Sequence, residues 1–129
     1  MTQEIKEFHE WREDKGFTPD EVQFLSEVTA CLSAIKYNNV LPEEKIKLIV
    51  SRYREDFPKA EIPDDIGKLK NLTFDDYAEI VQRGVSREFS VEELLYSFFK
   101  QGLCAQLAFD LLKTEDSSKA KEFVRKMEK

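Results

Sequence analysis

The sequence predicts an all-α protein, a compact bundle of five or six helices around a long central hydrophobic helix at about residues 91–113. Three observations carry that expectation. Apolar side chains recur at steps of three and four, the spacing that aligns them on one face of a helix. Glycine and proline are scarce, four of each, and fall mostly where such stretches begin or end. No segment alternates apolar and polar residues as a half-buried strand does. With 129 residues, 41% of them hydrophobic and 12% aromatic, the chain suits a single helical domain, 1–129, with its own core.

The first helix is expected from about Thr2 to Lys15, with a narrow apolar side of Ile5, Phe8 and Trp11 and a stop at Gly16. The next start is stronger. Thr18 and Glu21 have the spacing of a capping box, Pro19 takes the first helical position, and Phe17 and Val22 are placed as a hydrophobic staple. This second helix buries Val22, Leu25, Val28, Leu32 and Ile35 and ends near Tyr37-Asn38-Asn39. A third opens at Pro42, carries Ile46, Ile49, Val50 and Tyr53 on one face, and stops before Phe57-Pro58. The short connection makes helices two and three antiparallel neighbours.

From about residue 57 to 72 the period dissolves among Pro58, Pro63 and Gly67, so an irregular loop with one short helical turn is expected. Thr73 caps the following helix, with Phe74, Tyr77, Ala78 and Val81 inward and Gly84 as its stop. Ser90 and Glu93 repeat the capping-box spacing. Beyond them Val91, Leu95, Phe98, Gly102, Ala105, Phe109 and Leu112 keep register, which favours one continuous helix to about Lys113. Leu94, Phe99, Leu103, Leu107 and Leu111 make its other side apolar too, as befits the middle of a bundle. A last helix opens near Ser117 or Ser118 and buries Ala120, Phe123, Val124 and Met127.

Charge narrows the function. The formal net charge is −6, and residues 1–64 hold 14 acidic against 9 basic side chains. Phosphate backbones repel such a surface, so direct nucleic-acid binding is not expected. The basic run from Ser117 reads as a solvated helix face whose cations suit the C-terminal end of the helix dipole. Cys31 and Cys104 stand among apolar neighbours, and buried free thiols are the expected reading. No apolar leader follows the start methionine and no uninterrupted apolar stretch is long enough to span a bilayer, so no membrane role is expected and the cytoplasm is the expected address.

The chemistry is sparse. His9 is the only histidine, too few for a zinc site with the ligands at hand. There is no Gly-rich phosphate loop, nucleophile elbow or His-Glu-x-x-His helix. Glu4, Glu7, Glu10 and Glu13 step by three along the first helix, as do Asp76 and Glu79 on a later one, spacing that can hold a hard cation. Lys6, Arg12 and Lys15 interleave with the glutamates, as on an ordinary solvated face. No catalytic residue, metal ligand or cofactor is therefore assigned.

Two local resemblances qualify that. Residues 4–17, Glu-Ile-Lys-Glu-Phe-His-Glu-Trp-Arg-Glu-Asp-Lys-Gly-Phe, resemble the opening helix of MazG-like all-α nucleotide pyrophosphatases, and residues 122–129 are similar to that family's tail. The resemblance implies magnesium held by paired acidic motifs on two core helices. Those would be Glu27 with Ala30 and Glu93 with Tyr96, so two of the acids are replaced. Residues 65–77 end with a cadence similar to the exiting helix of an EF-hand. Gly67, Leu69 and Lys70 stand where ligands and the turn glycine belong, and no calcium is expected.

The expected function is a small acidic, non-enzymatic module that regulates, inhibits or adapts a protein partner, one with a basic surface. The candidate anchors are Phe8, Trp11, Phe57 and Phe89, which lie on narrow stripes or at helix borders. Self-association as a homodimer stays open. The alternative is a magnesium-dependent nucleotide pyrophosphohydrolase of the MazG-like kind, or a degenerate relative.

Overall fold

The computed structural model describes residues 5–37 and 40–128. Among these the secondary structure is helical throughout, with no strand. In chain order the elements are α1 (Phe8–Asp14), α2 (Pro19–Lys36), α3 (Glu43–Asp56), a 3-10 turn (Pro58–Ala60), α4 (Ile66–Lys70), α5 (Phe74–Val85), α6 (Val91–Gln101), α7 (Ala105–Thr114) and α8 (Ser118–Met127). The all-α expectation is met, with eight α-helices among the described residues where five or six were counted. The chain divides into two compact units. One is the segment up to Thr18 together with everything from Phe89 onward, and the other is Pro19–Glu88.

In the first unit α6 packs against α1, α7 and α8. Leu94, Leu95 and Phe98 of α6 are buried with Leu107, Leu111 and Leu112 of α7. Each such side chain removed from water stabilises the unit by about 1.5–3 kcal/mol before the entropy of ordering it is counted. Phe8 stacks on Phe98 at 4.3 Å between ring centroids, and Tyr96 stacks on Phe123 at 4.5 Å. One carboxylate ties three helices together. Glu93 accepts hydrogen bonds from Trp11 Nε1 at 3.2 Å and from Lys119 Nζ at 2.8 Å, with Lys15 Nζ 3.4 Å away. Burial pushes the Glu93 carboxyl up, but the Lys119 and Trp11 hydrogen bonds with the charges of Lys119 and Lys15 outweigh that and hold it below its ordinary value.

The expected continuous helix at 91–113 is corrected here to a helical hairpin. Gly102 takes a left-handed conformation at φ +79° and caps α6, its N–H donating to the Phe99 carbonyl at 3.0 Å while Leu103 N–H donates to Phe98 at 2.9 Å. Cys104, also left-handed at φ +49°, then opens α7. The apolar register survives the break because both arms of the hairpin face the same core. Register alone therefore misled. The first helix is shorter than expected: Glu7 is its N-cap, and Ile5 to Glu7 are not helical. The Ile5 carbonyl accepts from Lys100 Nζ at 2.8 Å instead of from an amide one turn ahead. Positions 2–4 of that expected helix lie outside the described residues.

In the second unit α2 packs against α4 and α5, and α3 against the 3-10 turn and α4. Phe24 near the start of α2 meets Phe57 at the end of α3, while Ile35 near the end of α2 shares a crevice with Leu41 and Ile46 at the start of α3. The two helices therefore run antiparallel, as expected, but α2 packs its backbone on α4 and α5 rather than closely on α3; Asn38 and Asn39 of their connection lie outside the described residues. The stretch at 57–72, expected as a loop with one helical turn, instead holds the 3-10 turn and α4 and buries Ala60, Ile62, Ile66, Leu69 and Leu72. Asp65 caps α4 by accepting from Lys68 N–H at 3.3 Å, and Arg83 Nε donates to the Ala60 carbonyl at 3.1 Å. The cap predicted at Thr73 is present, and Asp76 completes it as a reciprocal capping box. At Ser90 only half forms: Ser90 accepts from Glu93 N–H at 3.2 Å, while the Glu93 carboxylate is committed to Trp11 and Lys119.

Candidate partner-binding groove

Between α2 and α3 lies an open groove. Its apolar end, a hollow of about 230 Å³, is walled by Ala30, Cys31, Ala34 and Ile35 from α2 and by Leu41, Ile46, Ile49 and Tyr53 from the α3 side. The other end is a larger cleft of about 570 Å³, lined by Asp20, Glu21, Gln23, Phe24 and Glu27 of α2, by Asp56 and Phe57 at the end of α3, by Pro58 and Lys59, and by Gly84 of α5. A further hollow with Glu27, Leu48, Ile49, Arg52, Tyr53 and Asp56 shares residues with both and joins them.

The two ends differ in chemistry. At the apolar end Leu41 is 44% exposed and Ile49 38%, Leu48 in the joining hollow is 71% exposed, and Tyr37 and Val40, shortly before Leu41 in the chain, are also exposed. Of the large hydrophobic side chains exposed among the described residues, only Leu103 lies away from this stretch. Scattered exposed leucines are ordinary, but a run of them rimmed by charge marks an interaction surface. At the other end four carboxylates, Asp20, Glu21, Glu27 and Asp56, face Lys59 and Arg52, and Glu21 also pairs with Arg87 at 3.7 Å. Tyr53 bridges the ends. Burial, then Cys31, Glu27 and Asp56, push its hydroxyl above the ordinary value. Burial also pushes the Cys31 thiol up to about 11, so it stays protonated as a small hydrophobe. Both cysteines are free thiols and half-buried, where burial was expected.

The four candidate anchors are distributed unevenly. Phe57 sits in the groove, half-buried, with its ring 5.1 Å from Phe24 and 6.2 Å from Tyr53. Phe89 is half-buried in the first unit, edge-on to Phe17 at 5.4 Å. Phe8 and Trp11, each only 2% exposed, belong to the core of that unit. Their narrow stripe meets α6 directly, so an aromatic pair that looked surplus is used in packing. Sequence reasoning missed Leu41, Leu48 and Ile49 as surface residues. One signal was legible: Leu48 falls off the Ile46–Ile49–Val50–Tyr53 face, a large apolar residue with no core to enter.

The acidic positions that the MazG-like resemblance singles out do not share a setting. Glu27 is exposed in the groove with Ala30 one turn on, whereas Glu93 is held by lysines and Tyr96 is stacked on Phe123. Of the ladder on α1, Glu7 and Glu10 lie within 3.6 Å of the half-exposed His9 ring, and Glu4 lies outside the described residues. Asp76 closes its capping box and Glu79 pairs with Arg83 at 3.5 Å. Among the described residues no three His, Cys, Asp or Glu side chains gather as metal ligands. Nor, among them, is any helix long and apolar enough to cross a membrane. Comparison with protein families, with curated proteins and with solved structures finds no match for this chain.

Proposed function

We propose that the chain is a non-enzymatic protein-binding module of the cytoplasm, a regulator, inhibitor or adaptor whose docking surface is the α2/α3 groove. One observation carries the reading. Leu41, Leu48 and Ile49, three of the large apolar side chains exposed among the described residues, line one groove whose far end holds four carboxylates and one lysine. Apolar contact supplies affinity there, while the carboxylates favour a basic partner surface and speed its encounter.

The test is affinity capture from the native cell with three baits: the wild-type chain, Ile49→Glu in the groove, and Leu103→Glu as an exposed apolar control outside it. A protein retained by wild type and Leu103→Glu but lost by Ile49→Glu supports the reading. A capture profile identical for all three baits overturns it.

A further inference from the structure

Resting on that reading of the groove, we infer that its occupant is an amphipathic helix of a partner protein, with apolar side chains against Ile49 and Tyr53 and lysine or arginine side chains at the Glu27–Asp56 end. The shape is the first argument. α2 and α3 run antiparallel without the close backbone packing that α2 makes with α4 and α5, and hollows lined by both helices follow their length, so a third helix can rest along them as a ridge in a groove. From Ala34 to Asp20 the α2 wall is about 21 Å long, which a helix of roughly 14 residues spans.

Charge is the second. Asp20, Glu27 and Asp56 outnumber Lys59 and Arg52 along the groove, and Glu21, though paired with Arg87, adds to their field. A helix with cations in one terminal turn matches that end and places leucine-like side chains one to three turns away, over the apolar end. An acidic helix is repelled. A second copy of this chain is disfavoured for the same reason. Its exposed apolar residues Leu48 and Ile49 belong to this acidic groove, so self-docking through them sets carboxylates against carboxylates.

The probe is a labelled synthetic peptide of about 16 residues, with leucines at i, i+3, i+4 and i+7 and three lysines in one terminal turn, titrated against the full chain by fluorescence anisotropy. Companion peptides have the same composition scrambled, a proline at the centre, or glutamate in place of lysine. The expected result is binding at least about tenfold tighter for the helical cationic peptide than for any companion. Both Ile49→Glu and Asp56→Lys are expected to weaken it about tenfold or more, with circular dichroism unchanged. Equal binding of the scrambled or proline peptide overturns the inference, as does indifference to both variants or a dimer of the chain that the same variants dissolve. If the helical peptide fails while a captured protein still depends on Ile49, the helix inference falls and the groove reading stands. If capture is also indifferent to Ile49, both fall.

Discussion

Gly84 of α5 lies flush against the ring of Phe24 of α2, so closely that a Cβ at position 84 would overlap three of the ring carbons. Phe24 is 3% exposed and Phe57 lies across from it at 5.1 Å, so its ring is packed on more than one side. Alanine in a helix interior ordinarily gains about 1 kcal/mol over glycine. Here the sign reverses. Gly84→Ala is expected to destabilise by about 1–3 kcal/mol, the range for overpacking a core. Thermal unfolding followed by circular dichroism checks it, and a melting temperature equal to or above wild type contradicts the contact.

Gly102 offers the opposite case. A Cβ there meets nothing within 4 Å, but the backbone sits at φ +79°. Gly102→Ala therefore costs only the left-handed conformation, about 1–2 kcal/mol. Urea denaturation should show a lower midpoint with an unchanged slope. A continuous helix at 91–113 would instead be stabilised by the same alanine, so the sign of the change separates a hairpin from a single helix.

The Glu93 clamp sets a pH dependence. Its folded value is below the ordinary 4.5 expected of the unfolded chain, so the unfolded state binds more protons as the solution turns acidic. The stabilisation is fully present above the unfolded value and is lost as pH falls through the folded one. Trp11, Lys15, Lys119 and Ser90 are the groups facing the site. Glu93→Gln is expected to cost about 1–2 kcal/mol at neutral pH, a loss discounted because Lys15 and Lys119 are 45% exposed. Denaturation midpoints between pH 7 and 3 should converge for the two proteins at the acid end. Parallel curves would show that the carboxylate contributes nothing specific.

Deep in the second unit the hydroxyls of Thr29 and Tyr77 meet at 2.7 Å, joining α2 to α5. A double-mutant cycle with Thr29→Val and Tyr77→Phe should report a coupling of about 0.5–1.5 kcal/mol, the net worth of one such bond. Additive losses would mean the two side chains act only through their packing.

How much was legible depended on where each signal resides. Helix starts were local. Thr73 with Asp76, Ser90 and Ser117 each stand at a start because the capping atoms lie within three residues of the amides they serve, and Pro19 stands at another because its fixed φ and missing N–H suit a first helical position. Helix ends were less so. Gly16 and Gly84 look alike on paper, yet Gly16 is left-handed just past α1, while Gly84 lies inside α5 and the left-handed C-cap falls to Ser86 at φ +62°. The difference is Phe24, sixty residues earlier in the chain and invisible to any local window.

The same division holds for the candidate site. By itself the sequence determined the helical class, most of the helix starts, the antiparallel direction of α2 and α3, and the acidic balance of the chain. Only the tertiary structure decided that Phe8 and Trp11 go inward, that Phe57 joins a groove, and that Leu41, Leu48 and Ile49 stay at the surface. Periodicity tells which residues share a face, but whether that face is covered depends on what other segments bring to it, and those partners are distant in the chain.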